Sequence, residues 1–115
     1  MSRPDKPLVY QVKEKPFMET ILRMAKLLGW LSYHTFDSRK STPGFPDIVA
    51  VHPEHGTLYL EAKTMTGKVS AAQQEWIDVL TAAGERAFVV RPDQMDMIEA
   101  LFRGEAVETE GQVAA

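Results

Sequence analysis

A glutamate inside an apolar strand is the feature of this sequence that most constrains its fold. Residues 57–63 read Thr-Leu-Tyr-Leu-Glu-Ala-Lys, and another apolar run at 48–51 begins directly after Asp47. Side chains alternate between the two faces of a strand, so Glu61 and Lys63 lie on one face and their apolar neighbours on the other. Charged groups buried in a sheet are costly unless they are paired. We therefore expect Asp47, Glu61 and Lys63 to meet at one site, with a divalent cation between the carboxylates and an anionic substrate facing the lysine.

The composition indicates one globular domain. With 115 residues, 44% of them hydrophobic, the chain is long enough for a core without covalent cross-links. The absence of cysteine excludes disulfides and thiolate zinc sites. The first residues are polar and rich in proline, and no apolar run approaches the ~20 residues that cross a bilayer. We expect a cytoplasmic protein that does not act at a membrane.

The net charge of −3 is unfavourable for a nucleic-acid partner, but the charges are unevenly distributed. Residues 1–45 hold eight of the 13 Lys and Arg residues and only four of the 16 acids. Three of the remaining acids lie in the C-terminal tail, and a bound metal ion would neutralise others. The overall charge therefore does not exclude DNA or RNA.

Apolar spacing and turn residues predict seven elements. Helices are expected near 14–28, 70–83 and 92–103, the second of which opens on the capping-box pattern Ser70…Gln73. Strands are expected near 31–36, 48–51, 57–63 and 86–90. The continuous apolar run at 48–51 predicts a strand buried on both faces. The order α-β-β-β-α-β-α predicts an α/β fold in which helices flank a mixed central sheet.

Several short motifs give the chain a resemblance to a known family. Pro46-Asp47 followed by Glu61-Ala62-Lys63 resembles the PD-(D/E)xK pattern of the restriction-endonuclease-like nuclease superfamily. Within it, the chain is similar to the VRR-NUC family, found as stand-alone proteins of phages and bacteria and as the nuclease domain of a Fanconi-anaemia-associated repair nuclease. The similar motifs are Leu28-Gly29-Trp30, Tyr33-His34, Asp37-Ser38-Arg39, Gly44-Phe45-Pro46-Asp47, Gly67 to Gln73, and Ala83-Gly84 with Val90-Arg91-Pro92.

The resemblance implies a restriction-endonuclease-like αβββαβ core, which agrees with the element order above. Residues 13–103 would form the VRR-NUC-like nuclease domain. Residues 1–12 are expected to be a flexible arm, and residues 104–115 an acidic, disordered tail. The resemblance also implies that the cytoplasm is that of a bacterial cell, and that the protein is encoded by the bacterium or by a phage.

The resemblance also assigns roles at the site. Asp47, Glu61 and the backbone carbonyl of Ala62 would hold Mg²⁺ or Mn²⁺. Lys63 would position the attacking water and stabilise the charged phosphate, although an ion pair with one of the carboxylates would also explain a lysine there.

A glutamate of the first helix completes the metal site in this family, and two are present. Glu14 precedes Phe17 and Ile21 at helical spacing, which predicts a position on the inward side. Glu19 shares the polar face with Arg23, so an exposed pair is its simpler role. We choose Glu14, and the sequence leaves Glu19 open.

Further residues are candidates for substrate contact. Gln73 resembles a glutamine of the family, which implies a catalytic-site residue that contacts Lys63 or the substrate, but it also fits the third position of a capping box, which needs no other role. A strand end and a basic loop next to the site are expected to contact DNA phosphates through His34, Ser38, Arg39 and Lys40, with Lys68 in the following loop. His52 and His55 lie in a turn and receive no role.

The sequence therefore predicts a metal-dependent endonuclease that hydrolyses DNA phosphodiester bonds. Stand-alone members of the family resemble homodimeric, structure-specific nucleases, and resolution of Holliday junctions is the most attractive case. The alternative is a catalytically silent module that binds nucleic acid on a nuclease scaffold, which the acidic charge would favour.

Overall fold

The computed structural model describes residues 7–35, 42–109 and 112–113. Its helices are α1 (Glu14–Leu27), α2 (Ala71–Ala82) and α3 (Met95–Phe102), with 3-10 turns at Leu8–Gln11 and Pro92–Gln94. Its strands are β1 (Leu31–His34), β2 (Ile48–His52), β3 (Gly56–Ala62), β4 (Arg86–Val90), β5 (Glu108–Thr109) and β6 (Gln112–Val113). The predicted element order is confirmed.

The central sheet is mixed and has the strand order β1-β2-β3-β4. The first three strands form an antiparallel meander, in which Tyr33 pairs with Val49 and Val49 pairs with Tyr59. Strand β4 runs parallel to β3, and α2 makes the crossover between them. The short strands β5 and β6 pair separately in the C-terminal segment.

The main core lies on one face of the sheet. Side chains of β2, β3 and β4 such as Ile48, Leu60 and Phe88 pack there against α1 and α3. Because faces alternate along a strand, Glu61 points to the opposite face, where α2 lies. The result is a layer of two helices, a sheet, and a layer of one helix.

Local sequence signals account for the helix ends. Helix α1 begins at Glu14, two residues before Pro16, and is followed by Gly29 with a φ of 88°. Helix α2 begins after Ser70, and both hydrogen bonds of its capping box are present. The helix expected from Pro92 instead begins as a 3-10 turn, in which the Gln94 side chain accepts a hydrogen bond from the Arg91 N–H, and becomes α-helical at Met95.

One prediction about burial is wrong. The apolar run at 48–51 predicts a strand buried on both faces, but Val51 is exposed and Val49 is only half-buried. Helix α2 packs against β4 rather than β2, so it leaves this part of the second face uncovered. In the described ranges, every helix is too short or too polar to cross a membrane.

Candidate active site

Strand register brings two carboxylates to the same place. Residue Ile48 pairs with Leu60 in the antiparallel β2–β3 ladder, so Asp47, one residue earlier, lies opposite Glu61, one residue later. The Ala62 N–H donates a hydrogen bond to Oδ2 of Asp47 over 3.2 Å, which fixes the aspartate against β3. The structure thus brings together these two predicted site residues, which face each other across neighbouring strands.

Glu61 is a buried acid with one oxygen left unused. Only 2% of its surface is exposed. Its Oε2 atom accepts a hydrogen bond of 2.9 Å from the Gln73 side-chain amide. While both acids are ionised, no described residue donates a hydrogen bond to its buried Oε1 atom. An orphaned carboxylate oxygen in this position is suited to a cation, because an ionised oxygen without a partner is costly inside a protein.

The protonation of the two acids reflects this environment. Burial, followed by the negative charge of Asp47, raises the pKa of Glu61 to about 8. Burial also raises the pKa of Asp47, although the Ala62 N–H and the neighbouring Glu61 partly oppose this shift. A metal-free pair thus retains a proton near neutral pH, whereas a divalent cation would favour the fully ionised pair. The acids fit Mg²⁺ or Mn²⁺, which prefer carboxylate oxygen.

Lys63 lies beside Glu61 and directly after the end of β3. Its Nζ atom is 4.0 Å from Oε2 of Glu61, and its side chain is 14% exposed. Its backbone N–H donates to the Val90 carbonyl over 2.9 Å, which extends the pairing with β4. The ammonium is therefore held near the carboxylates while part of it still reaches solvent.

Arg91 supports the loop that follows Lys63, a role that the sequence reasoning missed. One guanidinium nitrogen donates to the Thr64 carbonyl over 2.6 Å and to the Gly67 carbonyl over 2.8 Å. A Cβ atom on Gly67 would lie 3.5 Å from the Lys63 side chain, so this loop packs against the lysine. The only sequence signal was Val90-Arg91-Pro92, and it gave no indication of loop carbonyls as partners.

Gln73 forms the capping box that the sequence predicts, and its second contact is with Glu61 rather than with Lys63. Its side-chain oxygen accepts from the Ser70 N–H over 2.8 Å, which is half of the capping box. Its side-chain nitrogen donates to Glu61. One amide thus fixes the start of α2 and orients the glutamate at the same time.

Gly44 lets the loop before Asp47 lie against the start of α2. Its φ is 84°, and a Cβ atom there would come within 2.5 Å of the Ala72 backbone carbonyl. Only glycine satisfies both conditions. The close contact joins the segment that carries Asp47 to the start of the helix that carries Gln73.

The first helix and the Ala62 carbonyl lie at the border of the site. Glu14 lies in the first turn of α1, where it is exposed. Its negative charge nevertheless raises the pKa values of both Asp47 and Glu61, and Glu19 is not among the groups that do so. The Ala62 N–H points toward Asp47, and in a strand the carbonyl of the same residue points to the same side.

The structure does not bring every predicted residue to this site. His34 pairs with Ile48, so its side chain lies on the α1 face, away from the carboxylates. Lys68 is exposed in the loop before α2. Ser38, Arg39 and Lys40 lie outside the described residues. Roles for these residues in binding nucleic acid stay predictions.

A second polar cluster lies at the far end of β2. The cluster consists of His52, Glu54 and His55. Within the described chain, it is the one group of three histidine or acidic side chains whose possible metal-ligand atoms all lie within 4.8 Å of one another. The two imidazoles stack at 4.4 Å and both contact Trp30. Because Nδ1 of His52 accepts the Glu54 N–H over 3.0 Å, the cluster is better explained as turn packing. A metal-bound histidine usually donates through its second nitrogen instead.

Comparisons with solved structures show the same fold. A VRR-NUC domain is 22% identical with a TM-score of 0.62, over 74% of this chain and 91% of the other. A VRR-NUC domain protein is 18% identical with a TM-score of 0.65, over 90% and 97% of the two chains. Hjc, a Holliday junction resolvase from the archaeal hyperthermophile Archaeoglobus fulgidus, is 24% identical with a TM-score of 0.50, over 66% and 64%. No curated protein matches the chain.

The mixed four-stranded sheet and its flanking helices therefore form the predicted α/β fold, which is similar to the fold of Hjc. Residues 9–103 match the family model of the VRR-NUC domain, and the chain belongs to this family.

Proposed function

We propose that this protein is an endonuclease that hydrolyses DNA phosphodiester bonds with the help of Mg²⁺ or Mn²⁺. The observation that supports this proposal best is the facing pair Asp47–Glu61, with a buried and unpartnered Oε1 atom among the described residues and the ammonium of Lys63 beside it. This arrangement combines ligands for a hard cation with a fixed positive charge for a phosphate, in a chain of a nuclease family.

Asp47 and Glu61 would hold the metal, with the Ala62 carbonyl and Glu14 as further ligands. When bound, the ion would polarise the scissile phosphate and lower the pKa of a water molecule. Gln73 donates to Oε2 of Glu61 and so leaves Oε1 available on the opposite side. The Ala62 N–H restrains Asp47 in the same way.

Lys63 would serve the phosphate and the attacking water. Its ammonium has three donors on a flexible stem, and the 4.0 Å separation from Glu61 leaves it free to donate to a phosphate oxygen or a hydroxide. The Thr64–Gly67 loop, which Arg91 ties down, limits the motion of this side chain. Positive charge that is already in place stabilises the developing charge of the transition state at little reorganisation cost.

The preferred substrate is branched DNA, which we propose from family resemblance. A small domain offers little surface for recognising a junction, so we expect a homodimer whose two sites cut two strands symmetrically. The structural neighbour Hjc is a Holliday junction resolvase. Multi-angle light scattering should give twice the chain mass of 12.9 kDa. A monomer at high concentration would argue against symmetric resolution.

Cleavage assays test the chemistry directly. Purified protein with Mg²⁺ or Mn²⁺ should cut synthetic four-way, flap or nicked DNA, leaving 5′-phosphate and 3′-hydroxyl ends by superfamily analogy. Asp47→Ala and Lys63→Ala should each reduce the rate by about a hundredfold or more. Arg103→Ala is the control, because Arg103 is an exposed residue whose side chain pairs with the exposed Glu99. Cutting that survives both active-site substitutions would refute the proposal.

The alternative of a silent binding module is favoured only by the acidic charge of the chain. Calorimetry with Mn²⁺ separates the two functions. An active nuclease should bind the ion through Asp47 and Glu61, whereas a silent module should show no heat that depends on these residues.

A further inference from the structure

The row of residues next to the carboxylates is apolar and aromatic. In the sheet register, Tyr33 pairs with Val49, which pairs with Tyr59. This row is two residues away from the Asp47–Glu61 row, so it lies on the same face. Two residues of a strand span about 6.8 Å, which is about two base steps along a stacked DNA strand.

The residues that the structure describes leave part of this face uncovered. The Tyr33 side chain is 68% exposed, and Leu31 and Val51 in the following row are also exposed. Helix α2 packs toward β4 and so does not cover β1. Tyrosine in this position presents an aromatic surface to solvent beside the candidate catalytic site.

Packed aromatic rings border the same area. Phe45 lies two residues before Asp47, and its ring packs edge-to-face against Trp76 at 4.9 Å and Tyr59 at 6.5 Å. Such packing holds the rings in fixed orientations. Each carboxylate of the site is thus accompanied by an aromatic residue two positions earlier on its own segment.

We propose that Tyr33 stacks on an unpaired base adjacent to the scissile phosphate, with the Phe45–Tyr59–Trp76 cluster beside it. The substrate class would then be DNA with unpaired nucleotides at the cleavage point, such as a flap, a bulge or an open junction. This inference rests on the proposed nuclease function. A strand whose phosphate lies at Asp47 and Glu61 and which continues across the sheet toward β1 would pass over this row, which offers a base partner.

The chemistry favours an unpaired base over a continuous duplex. In a duplex both faces of each base are already stacked, whereas an unpaired base has a free π-face that an aromatic side chain can cover. A second copy of the chain could also bury Tyr33, but it would then close the path that a substrate strand takes past the carboxylates. We therefore assign the surface to nucleic acid.

The test compares binding of two DNAs in Ca²⁺, which replaces the catalytic ion. One is a continuous duplex, and the other carries a bulged 2-aminopurine whose fluorescence reports stacking. Tyr33→Ala and Tyr33→Leu should each weaken binding of the bulged DNA by about tenfold and relieve the quenching of 2-aminopurine. Tyr33→Phe, which keeps the ring, should behave as wild type. Binding of the continuous duplex should be unchanged in all variants.

Leu27→Ala is the matched control, because Leu27 is an exposed apolar residue at the end of α1. It should not change either affinity. The stacking role would be overturned if Tyr33→Leu bound the bulged DNA with wild-type affinity. It would also be overturned if the variants lost affinity equally for the bulged DNA and the continuous duplex. Conversion of a dimer to a monomer by Tyr33→Ala in light scattering would also overturn it, because the face would then belong to a second copy.

Cleavage by the wild-type protein in Mg²⁺ or Mn²⁺ distinguishes a failure of the stacking role from a failure of the proposed nuclease function. If wild type cuts no DNA, the proposed function fails. If wild type cuts and Tyr33→Ala binds both DNAs as wild type does, only the stacking inference fails.

Discussion

At the scale of single residues, Glu61 is a buried acid whose environment disfavours its charge. Its raised pKa of about 8 arises from burial and then from the charge of Asp47. Selection for stability alone rarely produces such an arrangement, since an apolar residue at that position would carry no buried charge. The cost is consistent with a functional requirement for a carboxylate.

The pH dependence of stability should reveal this cost. The pKa of Glu61 is raised in the folded protein, so its contribution is favourable below the ordinary value of 4.5 and is lost as pH rises through about 8. The melting temperature of the metal-free protein should therefore fall over this range. Glu61→Gln should remove this part of the decline, with a gain at high pH of several degrees, since 1 kcal/mol corresponds to about 4–8 °C.

Glu99→Gln is the control for this prediction, because Glu99 is a more exposed acid paired with Arg103. Differential scanning calorimetry at several pH values would give the comparison. If the difference in melting temperature between wild type and Glu61→Gln does not change with pH, Glu61 is already ionised in the metal-free protein.

Gln73 and Ser70 allow helix capping to be separated from the site. Ser70→Ala removes the acceptor for the Gln73 N–H and should cost about 1 kcal/mol of stability. It should leave cleavage nearly unchanged, because the Ser70 N–H still holds the Gln73 side chain. Gln73→Glu keeps a capping-box residue but replaces the donor to Glu61 with a second acid.

At acidic pH, the Gln73→Glu variant should therefore retain most of the wild-type stability. Its cleavage rate should fall by at least about tenfold. Urea unfolding and initial cleavage rates measure the two effects. Equal losses of stability and rate in both variants would mean that the capping role alone explains Gln73.

At the scale of elements, the loop before β2 is joined to the start of α2. This contact depends on Gly44, whose missing Cβ leaves room for the Ala72 carbonyl. It determines where Asp47 lies relative to Gln73, since these residues flank the contact on their two segments. A helix far along the chain thus positions a carboxylate of the meander.

Two glycine substitutions should show how much this contact contributes. Gly44→Ala and Gly84→Ala both place alanine at a positive φ, 84° and 91°. Within the described chain, a Cβ atom on Gly84 would have open space for 4 Å around it, whereas one on Gly44 would meet backbone at 2.5 Å. Gly84→Ala should lower the stability of the fold by about 1 kcal/mol. Gly44→Ala should lower it by about 1–3 kcal/mol more and should also abolish cleavage.

Thermal unfolding and cleavage rates of the two variants give the comparison. Because both substitutions place alanine at a positive φ, that cost is common to the two variants. The difference in their stability therefore measures the contact between Gly44 and α2. Similar stability and full activity in both variants would show that the loop can move away without disturbing Asp47.

At the scale of the whole molecule, metal binding should stabilise the fold. Asp47 and Glu61 come from different strand segments and Glu14 from a helix, so an ion bound by them connects elements that separate on unfolding. Mn²⁺ at about a hundred times its dissociation constant should add about 2.7 kcal/mol, on the order of 10 °C in melting temperature.

Two variants locate the ion. Asp47→Ala should abolish the Mn²⁺-dependent shift in melting temperature. His55→Ala should retain it, because His55 belongs to the cluster at the other end of β2. A shift that disappears only in His55→Ala would place the ion at the histidines and remove the main support for the catalytic proposal.

The molecule also shows where prediction from sequence succeeds. The strands, the shared face of Glu61 and Lys63, and the cap at Ser70 depend on alternation and on neighbours within four residues. Such patterns are local, and the sequence displays them directly. The prediction of a fully buried β2 failed because burial depends on where α2 packs, and no local pattern encodes that position.

The order of the elements, the family, and the acids and lysine of the candidate site can be read from the amino-acid sequence, because these follow from short-range periodicity and motifs. Other relations become visible only in the folded protein: Gln73 donates to Glu61, Arg91 holds the loop after Lys63, His34 faces away from the site, and Tyr33 lies exposed beside the carboxylates. Those relations depend on strand register and helix packing, which bring together residues far apart in the chain.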